Sequence, residues 1–566
     1  MKRVPLNLPG SVRALLLAAL ASSLLGGSGC APAAPADTGA ALRSLVHSAR
    51  HPDLRWPAFP EFRSELERFY GRAAWQPLWL RGARPTEAAS QLISRLASAD
   101  SLGLSPEDYD AEWLEREARE FVAPRRTPTA DEQAHFDLAL SVAAVRLVSA
   151  LHRGRVSPRV VHAELFIPRA SLAVEMAVDS LRDAEQQGSV LERLQPRLHH
   201  YQLLKNGLAR YRALARDTSL VALPALPRVV KPGMPLRPAA RLRHLLEATG
   251  DLGRSGAPAA AADTLYSADL VAGVRQFQKR QGFEPDGVIG PATVSRLGRP
   301  FAQRVRQIEL ALERFRWLPA SFAVLPIIVN IPAFRLYAFR GATDREDEML
   351  AMDVVVGGAF DKHTPVFAAD MRYLIFRPYW EVPVSIMRAE LGPKALSDPE
   401  FLQREGMVLV SGESDSAPVL PATPENLERI GRDLRVRQLP GPQNALGLLK
   451  FILPNAHDVY LHDTAAKGLF ARARRDFSHG CIRLSDPVAL AAHVLRDQPE
   501  WTVERIRAAM AGDDNTRVNL SRPVPVCIVY STASADEGGE VYFYSDIYGL
   551  DTELDQLLRK GYPYPR

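Results

Sequence analysis

One cysteine of the chain lies among residues that could carry out nucleophilic chemistry. The segment "YLHDTAAKGLFARARRDFSHGCIRLSD" begins at Tyr460 and holds two histidines, four arginines and Cys481. A free thiol is only a few per cent ionised at neutral pH, so a nucleophilic cysteine needs a base or a positive charge beside it. His462 and His479 could supply the base, and Arg483 could supply the charge.

The strand pattern around this segment predicts which of these side chains share a face. Side chains alternate along a strand, so "VYLHD" puts Tyr460 and His462 on the same face. In an extended segment Arg483 lies on the face of Cys481, where it would favour a thiolate or bind a substrate carboxylate. Gly480 lets the backbone approach a tetrahedral intermediate, whose oxyanion could take hydrogen bonds from main-chain amides nearby.

A zinc site is the alternative use of the same histidines. Alternation puts His457 on the face opposite to His462, which argues against a site built from these two and His479. A catalytic metal also needs at least three converging ligands, and neither H-E-x-x-H nor C-x-x-C spacing is present. We therefore expect no metal and no other cofactor.

The other two cysteines have different surroundings. Cys527 lies in "VPVCIVYS", an apolar run typical of a buried strand. Cys30 ends the segment "MKRVPLNLPGSVRALLLAALASSLLGGSGC", which has basic residues before an apolar run and is typical of a secretory signal. The small residues before Cys30 resemble a bacterial lipoprotein cleavage site. Gly27 stands where lipoproteins favour Leu, so ordinary cleavage near Ala31 is the alternative. Both predict a periplasmic or envelope protein, lipid-anchored in the first case.

Composition excludes several classes of protein. The chain has 566 residues, of which 46% are hydrophobic and 24% charged, so we expect a globular protein of two to four domains. Three cysteines cannot build a disulfide framework. The net charge of +5 suits an anionic envelope, but no basic cluster interleaved with aromatic residues indicates nucleic acid as a partner.

Changes of periodicity along the chain predict a multidomain α+β protein. "TADEQAHFDLALSVAAVRLVSALHRGRVSP" has a capped start, a periodic apolar face and a Gly154 stop, which is typical of a helix. "FAVLPIIVNIPAFRLYAF" and "MRYLIFRPYW" are typical of strands. The predicted units are a signal peptide at 1–30, a flexible tether at 31–55, a helical scaffold at 56–225, a small three-helix module at 226–300, and a mainly-β domain at 301–566 with a helical lid insertion at about 381–440.

The three-helix module has a recognisable pattern. Leu270, Val274 and Phe277 share one helical face, a turn follows at Gly287, and Pro291 opens a third helix. The order F-Q, G, D-G, G-P-x-T resembles the peptidoglycan-binding helical module of many cell-wall enzymes. A spacer without a ligand is the alternative.

The mainly-β domain resembles a known family as well. "SHGCIRL", preceded at this distance by "YLHDT", resembles the signature of bacterial L,D-transpeptidases with a YkuD-type catalytic domain, and in particular their large multidomain type. "RWLP", "VNIPAFRLY", "TPVF", "RPYWEVPVSI", "PGPQNALGLLKFILPNAHDVYLHD" and "FYSDIYGLD" follow the order of that family.

The resemblance implies a role for each matching residue. Cys481 is the nucleophile and His462 the general base, oriented by the backbone carbonyl at Asp463. His479 and Gly480 shape the surroundings of the thiol and the oxyanion site, and His479 is either structural or a direct proton carrier. The supporting and substrate-binding positions are Ser478, Arg483, Tyr460 and Trp380.

The resemblance also implies a reaction on peptidoglycan. Cys481 attacks the carbonyl between diaminopimelate and the terminal D-Ala of a tetrapeptide stem and forms a thioester. An amine of another stem then gives a 3→3 cross-link, water makes the protein a carboxypeptidase, and a lysine of an envelope protein makes it an anchoring enzyme. The partners would be stem peptides and glycan.

The same residues argue against two other classes of protein. A papain-like wall peptidase would need a histidine well after the cysteine, and only His493 follows Cys481. A non-catalytic wall-binding scaffold would not need the complete motif.

Overall fold

The structure is a computed structural model that describes residues 37–564, with gaps at 124–126, 166, 168–170, 221–222, 224–225, 227–228, 254–263, 320–321, 323, 342–344, 359–361, 399, 413 and 415. The predicted signal peptide and Cys30 lie outside the described residues, as does the first part of the predicted tether. The described chain is α+β, mainly helical up to Phe315 and with most of its strands after it, as the sequence predicts.

The first unit is helical and contains one short hairpin. Its elements are α1 (Thr38–Ser48), α2 (Arg63–Arg72), β1 (Leu80–Arg81), β2 (Arg84–Pro85), α3 (Glu87–Ala97), α4 (Ala111–Val122), α5 (Ala130–Arg153), α6 (Pro158–Val161), α7 (Val174–Ser180), α8 (Gln187–Leu194) and α9 (His199–Arg216). Thr129 and Glu132 form a capping box at the start of α5, and Gly154 ends it at a φ of 79°. Within the described residues α5 alone is long and apolar enough to cross a membrane, but 94% of its most apolar window is buried inside the protein. It is therefore the core helix of this unit.

Helix α1 corrects the expected tether at 31–55. Asp37 caps the helix by accepting a hydrogen bond from the Gly39 amide at 2.9 Å. Leu42 and Val46 are fully buried, and the helix packs on α5. Leu42 and Val46 form a short apolar stripe that α5 covers. The alanine-rich composition of the segment indicated a tether and gave no sign of this stripe.

The second unit is the predicted three-helix module, with α10 (Ala239–Thr249), α11 (Ala268–Arg280) and α12 (Pro291–Leu297). Leu270, Val274 and Phe277 are buried in its core as predicted. The module is docked on both neighbouring units by Arg280, whose guanidinium bonds the hydroxyl of Tyr211 in α9 at 3.1 Å and the carbonyl of Val541 at 2.8 Å.

The third unit holds most of the strands. Its elements outside the lid are α13 (Phe301–Phe315), β3 (Ile327–Asn330), β4 (Arg335–Phe339), β5 (Met349–Gly357), β6 (Phe367–Phe376), β11 (Leu449–Ile452), β12 (Leu461–His462), β13 (Asp476–Ser478), β14 (Ile482–Leu484), α18 (Pro487–Val494), α19 (Val503–Ala511), β15 (Thr516–Val529), β16 (Ala533–Ala535), β17 (Val541–Phe543) and α20 (Leu550–Arg559). Eight strands pair in the order β5-β14-β12-β11-β6-β15-β3-β4, and β4 pairs back with β5. The sheet is therefore a closed barrel, with β13 added at β5.

The lid is an insertion between β6 and β11. It contains β7 (Trp380–Glu381), α14 (Val384–Ile386), α15 (Gly392–Ser397), α16 (Phe401–Arg404), β8 (Met407–Val410), β9 (Val419–Leu420), α17 (Pro424–Glu428) and β10 (Arg435–Gln438), with a π-helical turn at Met387–Leu391. The four strands form a sheet of their own over a separate apolar core. The expected helical insertion is therefore mixed α and β. The strand β8 arises from the apolar run "MVLV", whose pairing partner β10 lies 25 residues further along.

The end of β5 requires glycine because the following turn folds back onto it. A Cβ on Gly357 would lie 2.1 Å from the Lys362 carbonyl oxygen and 2.6 Å from the Thr364 amide nitrogen. A Cβ on the neighbouring Gly358 would meet nothing closer than 3.4 Å. Of these two glycines, Gly357 is therefore the one where no side chain fits.

We therefore expect Gly357→Ala to destabilise the third unit by about 1–3 kcal/mol, the usual cost of overpacking. Thermal unfolding followed by circular dichroism measures the effect, with Gly358→Ala as the matched control. Equal melting temperatures of the two variants would contradict the proposed close approach.

Candidate active site

The pairing of three strands builds one face of the site. β12 runs parallel to β14, and His462 pairs with Arg483. β12 is antiparallel to β11, and His462 pairs there with Lys450. Side chains in register on adjacent strands point to the same side of a sheet. His462, Arg483 and Lys450 therefore form one row, while Leu461 and Ile482 are fully buried on the opposite face.

Cys481 precedes β14 and is half-buried. Its Sγ lies 3.7 Å from the carbonyl oxygen of Asp458. Burial raises the pKa of the thiol, whereas hydrogen bonds with Tyr460 and then the positive charge of Lys450 act in the opposite direction. The resting thiol is therefore protonated, and ionisation depends on polar groups close to the sulfur.

The turn before Cys481 is held from both sides. Gly480 has a φ of 116°, which few residues other than glycine adopt. Its N–H donates to Ser478 Oγ at 3.2 Å, and its carbonyl accepts from Thr364 Oγ1 at 2.7 Å. Among the described residues the N–H of Cys481 has no acceptor, so this amide is available to an oxyanion.

Thr364 belongs to a buried network that fixes this turn. The Thr364 side chain accepts a bond from the Gly357 amide at 2.7 Å. Its own amide donates to the Tyr548 hydroxyl at 3.1 Å, and that hydroxyl donates to the Gly357 carbonyl at 2.8 Å. The segments "TPVF" and "IYGLD" thus support the turn before Cys481 from outside the Ser-His-Gly-Cys motif.

His462 is buried, with 4% of its surface exposed. Its Nδ1 donates to the carbonyl oxygen of Asp463, so Nε2 is the nitrogen that can accept a proton. Burial, and then the charge of Arg483, lower the pKa of His462 to about 3. The imidazole is therefore neutral at neutral pH, as a general base must be.

The carboxylate of Asp463 fixes the loop before β11. It is almost fully buried, and its Oδ2 accepts from the Leu448 amide at 2.9 Å. Lys467 pairs with the other oxygen. Asp463 therefore acts through both its main chain, which orients His462, and its side chain.

The structure does not bring the Cys481 thiol and His462 into a hydrogen bond with each other, since the sulfur faces the carbonyl of Asp458. Catalytic hydrogen bonds are often long or poorly aligned before substrate binds. Proton transfer between the two residues requires the thiol to turn away from Asp458.

His479 contacts the lid. Its Nε2 lies 2.6 Å from Glu390 Oε1, in the π-helical turn of the lid. Lys362 Nζ bonds the same carboxylate oxygen at 2.7 Å. The bonds from Lys362 and then from His479 lower the pKa of Glu390 to about 2. These three residues form what we call the lid contact, and they give His479 a role in attaching the lid.

The remaining predicted residues surround the thiol. The ring of Tyr460 lies 5.7 Å from the ring of His462. Its side chain is hydrogen-bonded to Cys481 and Trp380. Trp380 is the first residue of β7, the first strand of the lid. Arg483 is half-buried, and its Nε has no hydrogen-bond partner within the described part of the chain. An unpaired guanidinium nitrogen is suited to bind an anion.

Sequence reasoning missed three residues of this site, namely Lys450, Thr364 and Glu390. Lys450 had a visible signal, because it is the single charge in the apolar run "LGLLKFIL". Thr364 and Glu390 had none, because their partners lie about 90 to 116 residues away in sequence.

The third cysteine and one group of histidines and aspartate lie outside this site. Cys527 is 2% exposed in β15, and burial raises its pKa to about 12, so it is an inert core residue as predicted. His51, Asp53 and His135 lie within reach of a common metal ion. Both ring nitrogens of His51 are already used, by the Asp53 amide at 3.2 Å and the His135 carbonyl at 2.8 Å. We assign no metal site there.

Comparison with known proteins agrees with the fold and with the motif. Residues 326–520 match the family model of the L,D-transpeptidase catalytic domain, residues 64–208 match a "Scaffold domain", and residues 240–297 match a "Putative peptidoglycan binding domain". A Haemophilus influenzae protein named "Putative L,D-transpeptidase" is 29% identical over 229 residues, which cover 40% of this chain and 45% of the relative. The alignment thus spans less than half of the relative's length.

Domains of these families together imply a multidomain protein of the cell envelope. The chain combines a segment that matches the catalytic domain of the L,D-transpeptidase family with segments that match an N-terminal scaffold domain and a peptidoglycan-binding module.

The lid contact leads to a test of lid attachment. Glu390→Gln removes the charge that His479 and Lys362 share. Because the contact is partly exposed, its loss costs about 1 kcal/mol at most, and we expect amide exchange in the Met387–Leu391 turn to rise by up to roughly fivefold. Hydrogen–deuterium exchange with mass spectrometry measures this change. Glu400→Gln, which changes a lid carboxylate outside the contact, is the control, and equal exchange in both variants would mean that the contact does not hold the lid.

Proposed function

We propose that the protein is a peptidoglycan L,D-transpeptidase in which Cys481 is the nucleophile and His462 the general base. The observation that supports this proposal most strongly is the register of β12, which pairs His462 with Lys450 on one side and, on the other, with Arg483, two residues after Cys481. The family of the catalytic domain supports the reaction class.

The reaction begins when the proton of Cys481 Sγ passes to Nε2 of His462. The sulfur then attacks the carbonyl between diaminopimelate and the terminal D-Ala of a tetrapeptide stem. The N–H of Cys481 stabilises the oxyanion, and Thr364 holds the preceding carbonyl away from it. When the C–N bond breaks, His462 returns the proton to the amine of D-Ala, and a thioester is left on the enzyme.

The second half of the reaction releases the acyl group to an acceptor. An amine of a second stem attacks the thioester, the C–S bond breaks, and the proton of the amine returns through His462 to the sulfur. The product is a 3→3 cross-link. The same thioester would react with water in a carboxypeptidase and with a protein lysine in an anchoring enzyme. We favour the stem amine because the chain carries a peptidoglycan-binding module.

The N-terminal segment directs the protein to the periplasm in this proposal. The apolar run before Cys30 serves as the signal, and lipidation of Cys30 would anchor the mature chain to a membrane. Stem peptides and glycan are then the partners within reach. His479 attaches the lid in this scheme and transfers no proton.

The nucleophile is tested by substitution of each cysteine in turn. Cys481→Ala should abolish turnover of a disaccharide tetrapeptide, because no other group near the site can form the thioester. Cys527→Ala, the matched control in the core, should alter stability at most. Mass spectrometry of the products distinguishes tripeptide and cross-linked dimers from substrate. Either product from Cys481→Ala would remove the basis of the mechanism.

A further inference from the structure

Because His462 is neutral, it supplies no positive charge to stabilise a thiolate at Cys481. In many cysteine enzymes an imidazolium beside the sulfur stabilises the thiolate. Burial and Arg483 keep the pKa of His462 near 3, so this imidazole is a poor permanent counter-ion. Burial also raises the pKa of Cys481. A thiolate at this position therefore needs positive charge from another residue.

Lys450 lies where such a charge is needed. It pairs with His462 across β11 and β12, so its side chain points to the same face. Its Nζ lies 3.7 Å from the centre of the Tyr460 ring, and Tyr460 is hydrogen-bonded to Cys481. A lysine over an aromatic face keeps its charge through a cation–π interaction. The ammonium is therefore held one side chain away from the sulfur.

The charge of Lys450 is not neutralised by an ion pair. In the described part of the chain no carboxylate lies within 4.0 Å of its ammonium. Burial lowers the pKa of Lys450, and the anions that oppose this are first Cys481 and then Glu381 and Asp458. Glu381, in the lid, is already paired with Arg437. The thiolate is thus the leading partner for this ammonium.

We propose that Lys450 stabilises the thiolate of Cys481 and so makes the nucleophile available to the donor stem. The proposal rests on the proposed function. Lys450 gives up no proton in this role: the proton of the thiol goes to His462, the ammonium remains charged beside the sulfur, and its interaction weakens when the C–S bond forms. Arg483 lies on the other side of His462; its charge also interacts with that of Cys481, and its unpaired Nε can bind the substrate.

The test follows the thiol itself and does not depend on turnover. Alkylation of Cys481 by iodoacetamide is measured from pH 5 to 10 in the full chain, with the peptide that contains Cys481 followed by mass spectrometry. Lys450→Met keeps the length and the apolar stem but removes the charge. We expect the apparent pKa of Cys481 to rise by about 1, which lowers the alkylation rate at pH 7 roughly tenfold.

Two controls define the result. Lys450→Arg keeps the positive charge and should keep the wild-type pH profile, whereas Lys560→Met removes an exposed lysine at the end of α20 and should change nothing. A wild-type profile in a folded Lys450→Met variant would overturn the proposal. This failure differs from failure of the proposed function, in which Cys481→Ala would still form product.

A reciprocal measurement applies if Lys450→Met does not fold. Coupling between two charges must act equally in both directions. Removal of the sulfur by Cys481→Ala should therefore lower the pKa of Lys450 at pH values where the wild-type thiol ionises, and raise its rate of reaction with acetic anhydride at pH 10 relative to the wild type. Lys560, in the same digest, is the internal reference. An unchanged rate at Lys450 would contradict the proposed interaction.

Discussion

The parallel pairing of β12 with β14 is the constraint on which the site depends. It pairs His462 with Arg483, and Cys481 lies directly before β14. A shift of this register by one residue would turn the side chains of one strand to the other face, so that either His462 or Arg483 would enter the barrel. Leu461 and Ile482, which are fully buried on the barrel side, make that shift costly. The hydrophobic core of the barrel therefore holds the proposed catalytic residues in register.

Burial of the catalytic row has electrostatic consequences. His462 must remain neutral because Arg483 and Lys450 lie on either side of it. Buried cations without acidic partners are unfavourable, and they favour any negative charge that forms between them. Charge develops there at two points of the proposed reaction, on the sulfur and on the oxyanion. The site is thus arranged for charge that appears during catalysis, which is the arrangement expected of electrostatic preorganisation.

The sequence predicted the local relations of the site and missed those that depend on distant pairing. Alternation in "VYLHD" correctly put Tyr460 and His462 on one face, because that relation depends only on the strand itself. Lys450 entered the site through pairing of β11 with β12, which no local pattern determines. Glu390 reached His479 only because the lid folds back over the motif.

The fold was predictable to a similar depth. The helical first half, the three-helix module and the strand-rich last half follow from periodicity and caps. Closure of the barrel through β4 and β5, and the small sheet of the lid, depend on contacts between strands far apart in sequence. Helix α1 was missed because its short apolar stripe lies in an alanine-rich segment, where composition indicated a tether.

The central claim is that the acyl group passes through the sulfur of Cys481. Its most direct test is rapid mixing of the wild-type protein with a disaccharide tetrapeptide, acid quenching, and measurement of intact mass. The account predicts a transient adduct equal to the donor minus D-Ala, located on the peptide that contains Cys481 and lost as product appears. Product formation without such an adduct, or an adduct on any other residue, would contradict it.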